Sequence, residues 1–183
     1  MLDRYIASPY RQQPFSKRQN LYLWCVTAAG ALVRILYHYN RPFTHDEVGT
    51  LLNLVRPVSY LLTHFQGWLT ENYFILAEKV MGHFGGGSQI SLLLIPLAAG
   101  IATIPLTAVL ARMLTSPPIA LAAATLVAAH PFLILYSGII RGYSVLAALS
   151  LAVLILFFRW WTRRTFINGA YVAAASLLLL LDH

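Results

Sequence analysis

Residues 92–110 read LLLIPLAAGIATIPLTAVL, a run of 19 residues without a charged side chain. A helix needs about 17–25 apolar residues to cross the hydrocarbon of a bilayer, so this run predicts a transmembrane helix. Four more apolar runs lie on either side of it, and we expect each to span the membrane: Leu21–Tyr39, Ile119–Tyr136, Tyr143–Trp160 and Phe166–Leu181. The sequence therefore predicts an all-α, polytopic membrane bundle of about five transmembrane helices.

The composition indicates the same class of protein. Hydrophobic residues make up 58% of the chain and only six residues are acidic, which is typical of an integral membrane protein. The formal charge of +7 comes from basic residues in clusters, as membrane orientation requires. No basic stripe is interleaved with aromatic residues, so we expect no nucleic-acid partner.

One further segment, Thr70–Phe84, is apolar but too short to span the membrane. It has about 15 residues, fewer than the roughly 17 that a span needs. It also carries four ionisable side chains: Glu71, Glu78, Lys79 and His83. We interpret it as an amphipathic helix that lies at the membrane interface.

The distribution of arginines predicts the orientation of the bundle. Residues 1–20 form a basic tail, which the positive-inside rule places in the cytoplasm. With five spans, Arg112 and the arginine cluster at 159–164 also face the cytoplasm. A sixth span at Thr70–Phe84 would place these arginines outside. Loop 40–89 and the turn at 136–143 then face the opposite, extracytoplasmic side.

The tripeptide His45-Asp46-Glu47 is the first candidate for chemistry. It follows the first apolar run by a few residues, and ionisable groups near the membrane are functional candidates. A partly desolvated carboxylate there could abstract a proton from an acceptor hydroxyl. The alternative is structural: the acids cap the helix that begins at Val48, because carboxylates favour helix N-termini.

The stretch YSGIIRGY, residues 136–143, is the second candidate. Arg141 lies between two predicted spans on the outer face, where the positive-inside rule disfavours a cation. A guanidinium is well shaped to hold a lipid phosphate. The alternative is an arginine that extends to the lipid head groups between the interfacial tyrosines Tyr136 and Tyr143.

The remaining polar residues give weaker signals. Lys79 and Arg56 are possible phosphate contacts, although an interfacial helix carries such charges in any case. Arg34 lies late in the first span, from which we expect it to extend outward to the interface. Asp46 and Glu47 could bind Mg²⁺ or Mn²⁺, but no third ligand is visible, and the histidines lack metal-ligand spacing, so we assign no metal.

Taken in order, these segments resemble the N-terminal part of the GT-C glycosyltransferases, of the protein mannosyltransferase and aminoarabinose transferase type. The first span carries a late arginine in Leu32-Val33-Arg34, and Asp46-Glu47 follows in the first outer loop. A segment ends in Phe84-Gly85, and a span opens around Pro96 and closes on Arg112. The remaining matches are Pro131, Tyr136-Ser137 and Arg141-Gly142-Tyr143.

The resemblance implies a specific reaction and a set of site residues. It implies Asp46 as the catalytic base with Glu47 supporting it, and Arg141 and Tyr143 at the phosphate of a polyprenyl-phosphate-sugar donor. It also implies a single displacement, in which a hydroxyl of an extracytoplasmic acceptor attacks the anomeric carbon of the sugar and inverts its configuration. The other residues that we place near the substrate are His45, Tyr136, Lys79 and Arg56.

The family generally has more spans, so we expect residues 21–183 to be the N-terminal part of a GT-C transmembrane domain in a truncated chain. We expect a multi-pass protein of the plasma membrane, with the N-terminus in the cytoplasm as the basic tail indicates. Two alternatives stay open. One is a non-catalytic membrane subunit or truncated paralogue that binds polyprenyl phosphate or a partner membrane protein. The other is a transporter fragment in which Asp46 relays protons.

Overall fold

The computed structural model describes residues 14–39, 41–63, 72–85, 88–162 and 164–181. These residues form nine helices and no strand, as predicted for an all-α chain. In chain order the helices are α1 (Lys17–His38), α2 (His45–Leu54), α3 (Val58–Thr63), α4 (Asn72–Phe84), α5 (Gln89–Leu114), α6 (Pro117–Ala129), α7 (Pro131–Tyr136), α8 (Tyr143–Thr162) and α9 (Phe166–Leu181).

Three of these helices, α1, α5 and α8, are long and apolar enough to cross a membrane. Helix α6 and the stretch Phe166–Leu179 of α9 are apolar but shorter. Helices of spanning length therefore match three of the predicted membrane helices: Leu21–Tyr39, Leu92–Leu110 and Tyr143–Trp160. The total of five spans and the sidedness of the bundle stay predictions.

Helix α1 has the polarity of a membrane helix, with polar groups inside and apolar groups outside. Trp24, Leu32 and Leu36 are all more than half exposed. Its buried face carries Leu23, Thr27, Gly30, Arg34 and His38. A helix in water buries its apolar stripe instead, so this arrangement fits a helix whose outer surface contacts lipid.

Helix α1 begins at Lys17, four residues before the predicted start of the apolar run. Ser16 and Gln19 form a reciprocal cap, in which the Gln19 amide donates to the Ser16 hydroxyl and the Ser16 amide donates to the Gln19 side chain. Such a cap satisfies amides that have no partner within the first turn. The helix therefore starts at a polar cap, which a search for apolar residues does not detect.

The predicted span Ile119–Tyr136 is divided into α6 and α7 at His130. The residue before a proline is driven toward extended backbone, and His130 has φ −69° and ψ 120°. Pro131 also lacks the amide that would continue the hydrogen-bond ladder. The interpretation of this run as one continuous helix is therefore wrong.

Helix α5 is the centre of the bundle and packs against α1, α4, α6 and α8. Ile104 and Ala108 of α5 are fully buried, and they pack with Leu23 of α1 and with three residues of α6: Leu121, Ala124 and Ala128. Gly30 of α1 faces Ile104 so closely that an added Cβ would crowd it. Small residues let these helices approach each other, as in other membrane bundles.

Long-range hydrogen bonds place the helix ends at two opposite ends of the bundle. Ser144, at the start of α8, donates to the Pro96 carbonyl early in α5. The two helices also pack against each other extensively, so they run in the same direction. The end of α1 meets this same region, because the His38 ring contacts the Ile134 carbonyl of α7. We call this end, with His38, Gln89 and Ser144, the site end.

Candidate functional site

Helix α2 starts at the site end, and Glu47 caps its first turn. The Glu47 carboxylate accepts a hydrogen bond from the Thr44 amide at 2.7 Å and another from the Thr44 hydroxyl at 2.9 Å. These bonds satisfy groups that the helix itself leaves without partners. The alternative that an acid of this stretch caps a helix is therefore confirmed for Glu47. The helix begins at His45 and not at Val48, so Glu47 caps it from within its first turn.

The same carboxylate forms an ion pair with Arg41. Arg41 Nη2 lies 2.5 Å from Glu47 Oε1, and Nη1 donates to Oε2 at 2.8 Å. The Glu47 side chain is fully buried and that of Arg41 is 14% exposed. Two parallel bonds from one guanidinium fix both the distance and the relative angle of the two groups.

This ion pair joins the first loop to the turn between α7 and α8. The Ile140 amide donates to Glu47 Oε1 at 2.8 Å, and Arg41 Nε donates to the Gly138 carbonyl at 3.1 Å. Arg41 Nη2 also donates to that carbonyl. We call Arg41, Glu47, Gly138 and Ile140 the loop–turn clamp, because they connect two segments that are more than 90 residues apart in the chain.

His38 packs beneath the clamp and explains the glycine at position 138. Its Nδ1 accepts from Arg41 Nε at 3.1 Å, so the proton is on Nε2, which lies 2.8 Å from the Ile134 carbonyl and donates to it. A Cβ added to Gly138 would overlap the imidazole ring. The contact therefore requires glycine at this position.

The start of α5 and a pocket complete the site end. Gln89 Nε2 donates to the Arg41 carbonyl at 2.9 Å. Beside this bond is a pocket of about 290 Å³ between α1 and α5, with His38 and Gln89 at its polar side. The rest of its wall is mainly aliphatic, and includes Ile35, Leu93, Leu94 and Leu97. An apolar pocket with few polar groups is typical of a ligand site.

The environment of Glu47 determines its charge. Burial raises the pKa of this carboxyl, but the hydrogen bonds from Arg41, from the Thr44 and Ile140 amides and from the Thr44 hydroxyl outweigh burial and lower the pKa to about 2. Donors that point at a carboxylate favour its ionised form. Glu47 is therefore an anion at neutral pH.

The two candidate residues before Glu47 occupy the first turn of α2. His45 is the first residue of the helix, and its side chain is exposed. The backbone of Asp46 follows it, while the Asp46 side chain is outside the part of the molecule that the structure describes. The backbone therefore places Asp46 at the site end, and the role of its carboxylate stays a prediction.

The structure brings together the three candidates of the turn. The rings of Tyr136 and Tyr143 are 5.2 Å apart, edge to face. The guanidinium carbon of Arg141 lies 6.0 Å from the centre of the Tyr143 ring, within reach of a cation–π contact. Arg141 also follows Ile140 of the clamp directly. Tyr136, Arg141 and Tyr143 therefore form one group next to the first turn of α2.

Lys79 and Arg56 lie at the opposite end of α2. The Lys79 ammonium donates to the carbonyls of Leu54 and Arg56, each at 2.8 Å. It thus caps the C-terminus of α2, where cations are favoured. The Arg56 guanidinium lies over the Tyr60 ring, 4.6 Å from its centre. Leu54, the last residue of α2, is seven residues after Glu47, so about 10 Å along the helix separates this end from the clamp.

Arg34 does not extend to the interface as expected, and that prediction is wrong. Its side chain is fully buried. Its guanidinium donates to the Gly30 and Ala128 carbonyls, each at 3.0 Å, and to the Val127 carbonyl at 3.2 Å. The last carbonyls of α6 have no partner within their own helix, and they provide Arg34 with nearby acceptors that the sequence does not reveal.

Glu78 on α4 is a second fully buried carboxyl group, which the sequence indicated only as one charge of an interfacial helix. Neither of its oxygens has a hydrogen-bond partner among the described residues. Burial raises its pKa to about 8. Glu78 is therefore mostly a neutral acid at pH 7, in contrast to Glu47.

Within the described ranges, no three side chains of His, Cys, Asp or Glu come together as a metal site. A divalent ion bound by Asp46 and Glu47 stays untested, because the Asp46 side chain is not described. The oxygens of Glu47 are already occupied by Arg41, Thr44 and Ile140. This leaves Glu47 poorly suited to bind a cation as well.

Sequence reasoning missed Arg41 and Gln89 as parts of this site. Arg41 is the first described residue after the first span, but nothing in its spacing indicates a bond to Gly138, 97 residues away. A polar residue at the start of a span, such as Gln89, is also common.

Comparison with models of protein families, with curated proteins and with solved structures gave no match to this chain.

Proposed function

We propose that the chain is the catalytic part of a membrane glycosyltransferase, which moves a sugar from a polyprenyl-phosphate donor to a hydroxyl of an extracytoplasmic protein, lipid or glycan. One observation carries the proposal. The Ile140 amide donates to Glu47. Asp46 directly precedes Glu47 in the chain, and Arg141 directly follows Ile140. The loop with the proposed base and the turn with the proposed phosphate ligand are thus held together.

The proposed reaction is a single displacement at the anomeric carbon. The Asp46 carboxylate takes the proton of the acceptor hydroxyl as the hydroxyl oxygen attacks that carbon. The bond between the anomeric carbon and the phosphate oxygen breaks, and its electron pair stays on the phosphate. Arg141 stabilises the leaving phosphate, for which a guanidinium fork is suited. The anomeric configuration is inverted.

The pocket between α1 and α5 supports a donor with an apolar chain. Its aliphatic wall suits a hydrocarbon, and His38 and Gln89 mark the side that is adjacent to the clamp. Gly138 also lines the pocket, so a chain placed there would lie beside the turn that contains Arg141.

The charge distribution supports an extracytoplasmic site. The anionic Glu47 and the backbone of Asp46 lie on α2, the helix that follows the site end of α1. The described basic residues near the opposite end are Lys17, Arg18, Arg112, Arg159 and Arg164. Loop 40–89 and the turn carry four, Arg41, Arg56, Lys79 and Arg141, and Glu47 pairs with the first of them. The positive-inside rule favours the cytoplasm for the more basic end, which supports a site end on the extracytoplasmic side.

The proposal is tested by changing Asp46→Asn, which keeps the size of the side chain and removes its basicity. Membranes that contain wild type or variant would be incubated with a radiolabelled polyprenyl-phosphate sugar, and the label in acceptors would be counted. We expect the variant to lose at least about 100-fold in transfer. The matched control is Asp3→Asn in the N-terminal tail, with equal amounts of protein in the membrane. Unchanged transfer by Asp46→Asn would exclude Asp46 as the base.

The second candidate is a non-catalytic membrane subunit that binds a partner membrane protein. Helix α9 favours it, because this helix packs mainly against α8. Phe166 is 94% exposed, and more than half of Ile167 and of Leu178 is exposed as well. A subunit of this kind would co-purify with a second polytopic protein and would support transfer equally well with Asp46 or Asn at position 46.

A further inference from the structure

The hydrogen-bond acceptor positions of the Glu47 carboxylate are all occupied, so none is left for a substrate. An ionised carboxylate has about four acceptor positions. Glu47 accepts five hydrogen bonds: two from Arg41, two from Thr44 and one from Ile140. The side chain is also fully buried. A substrate hydroxyl would have to displace one of these donors before it could transfer a proton to Glu47.

We infer that Arg41 and Glu47 are a pair of positioning residues, which hold the turn at 138–141 against the first turn of α2. This inference rests on the proposed function for its catalytic meaning, since it assigns the chemistry to Asp46 and not to Glu47. The physical claim about the turn is independent of any reaction.

The clamp determines where the two reactive residues lie. Consecutive Cα atoms are about 3.8 Å apart, so Asp46 and Arg141 are each one residue from the bond between Glu47 and Ile140. Arg41 holds the turn from the other side, through the Gly138 carbonyl. The two bonds lie on either side of Ile139, so the turn is held at two points.

The clamp differs from an ordinary salt bridge in one testable way. The Ile140 and Thr44 amides both donate to the carboxylate, and an amide cannot donate to a guanidinium. The double variant R41E/E47R would retain an ion pair but would direct both amides at a cation. We therefore expect the reversed pair to fail, whereas reversal commonly preserves a salt bridge whose only role is charge pairing.

The first test measures hydrogen exchange and needs no substrate. Wild type and Glu47→Ala in nanodiscs would be exposed to deuterated buffer, and exchange at residues 138–142 followed by mass spectrometry. We expect exchange there to be at least about tenfold faster in the variant, because the Ile140 amide loses its acceptor. Val48→Ala, at the exposed neighbouring position, is the matched control and should leave this exchange unchanged.

If Glu47→Ala does not accumulate in folded form, Arg41→Met takes its place. This variant keeps the carboxylate with its amide donors and removes both the ion pair and the bonds to Gly138. Faster exchange at 138–142 in either variant, with no rescue by R41E/E47R, supports the inference. Wild-type exchange in both variants, or full rescue by the reversed pair, overturns it.

The second test separates positioning from proton transfer. In Glu47→Gln we expect a lower kcat with the KM for acceptor nearly unchanged, and an acid limb of the pH profile like that of wild type, because Asp46 remains as base. Loss of the acid limb would make Glu47 the base and would overturn the inference. If wild type shows no transfer at all, the proposed function fails, while the exchange experiment still decides the role of the clamp.

Discussion

Replacing Glu78→Gln should change how the stability of this protein depends on pH. Burial raises the pKa of Glu78 from 4.5 to about 8. The folded protein therefore binds the proton more tightly than the unfolded chain does. Below pH 4.5 Glu78 is neutral in both the folded and the unfolded chain, so its burial costs no ionisation energy. The free energy of unfolding then falls as the pH rises from 4.5 to about 8.

The size of this effect follows from the pKa interval. Each pH unit within it costs about 1.4 kcal/mol, so the loss between pH 5 and pH 8 is at most about 4 kcal/mol. For a chain of this size, that corresponds to a fall in Tm on the order of 10 °C. Glutamine has nearly the same shape as glutamic acid and does not ionise, so the variant should lack this fall.

The assay is thermal unfolding in nanodiscs between about pH 5 and pH 9. We expect Glu78→Gln to have a flatter profile than wild type and a higher Tm above about pH 8. The matched control is Glu47→Gln. The pKa of Glu47 is lowered to about 2, so this carboxyl is ionised over the whole range, and its loss should lower Tm by a nearly constant amount. Parallel profiles for wild type and Glu78→Gln would refute the reasoning.

Three substitutions test the packing, each measured as Tm against wild type. Arg34→Met removes three hydrogen bonds to carbonyls, two of them buried and one partly buried, and should cost about 3 kcal/mol. An arginine that extended to the lipid head groups would cost almost nothing. Gly100→Ala should cost about 1–3 kcal/mol, because the new Cβ would overlap Ser137; an unchanged Tm would show that the helices separate freely there. Lys79→Met should cost about 1–2 kcal/mol by leaving two carbonyls of the α2 terminus without a donor, and no change would contradict that cap.

The membrane helices could be predicted because bilayer thickness sets a length that apolar runs must match. The runs that correspond to α5 and α8 are therefore recognisable from composition alone. The amphipathic segment ending at Phe84 is also helical, over Asn72–Phe84. The start of α1 was missed because a polar cap, Ser16 with Gln19, determines it. The break at His130 depends on one proline within an otherwise apolar run.

The site could be predicted only where it depends on local sequence. Glu47 as a helix cap follows from residues three positions apart, and Arg141 with its tyrosines follows from one short turn. The bond that joins these two segments depends on which helices are neighbours, as does the binding of Arg34 to α6. No single-sequence pattern carries that information.

The most direct test of the account is whether the purified chain cleaves a lipid-linked sugar. Wild type and Asp46→Asn would be reconstituted into liposomes that contain a panel of polyprenyl-phosphate sugars together with protein, lipid and glycan acceptors that carry free hydroxyls. The release of free polyprenyl phosphate would be measured by chromatography. The account predicts release by wild type from at least one donor, and release no greater than that of empty liposomes by Asp46→Asn. Release from no donor by wild type, or equal release by both proteins, would contradict it.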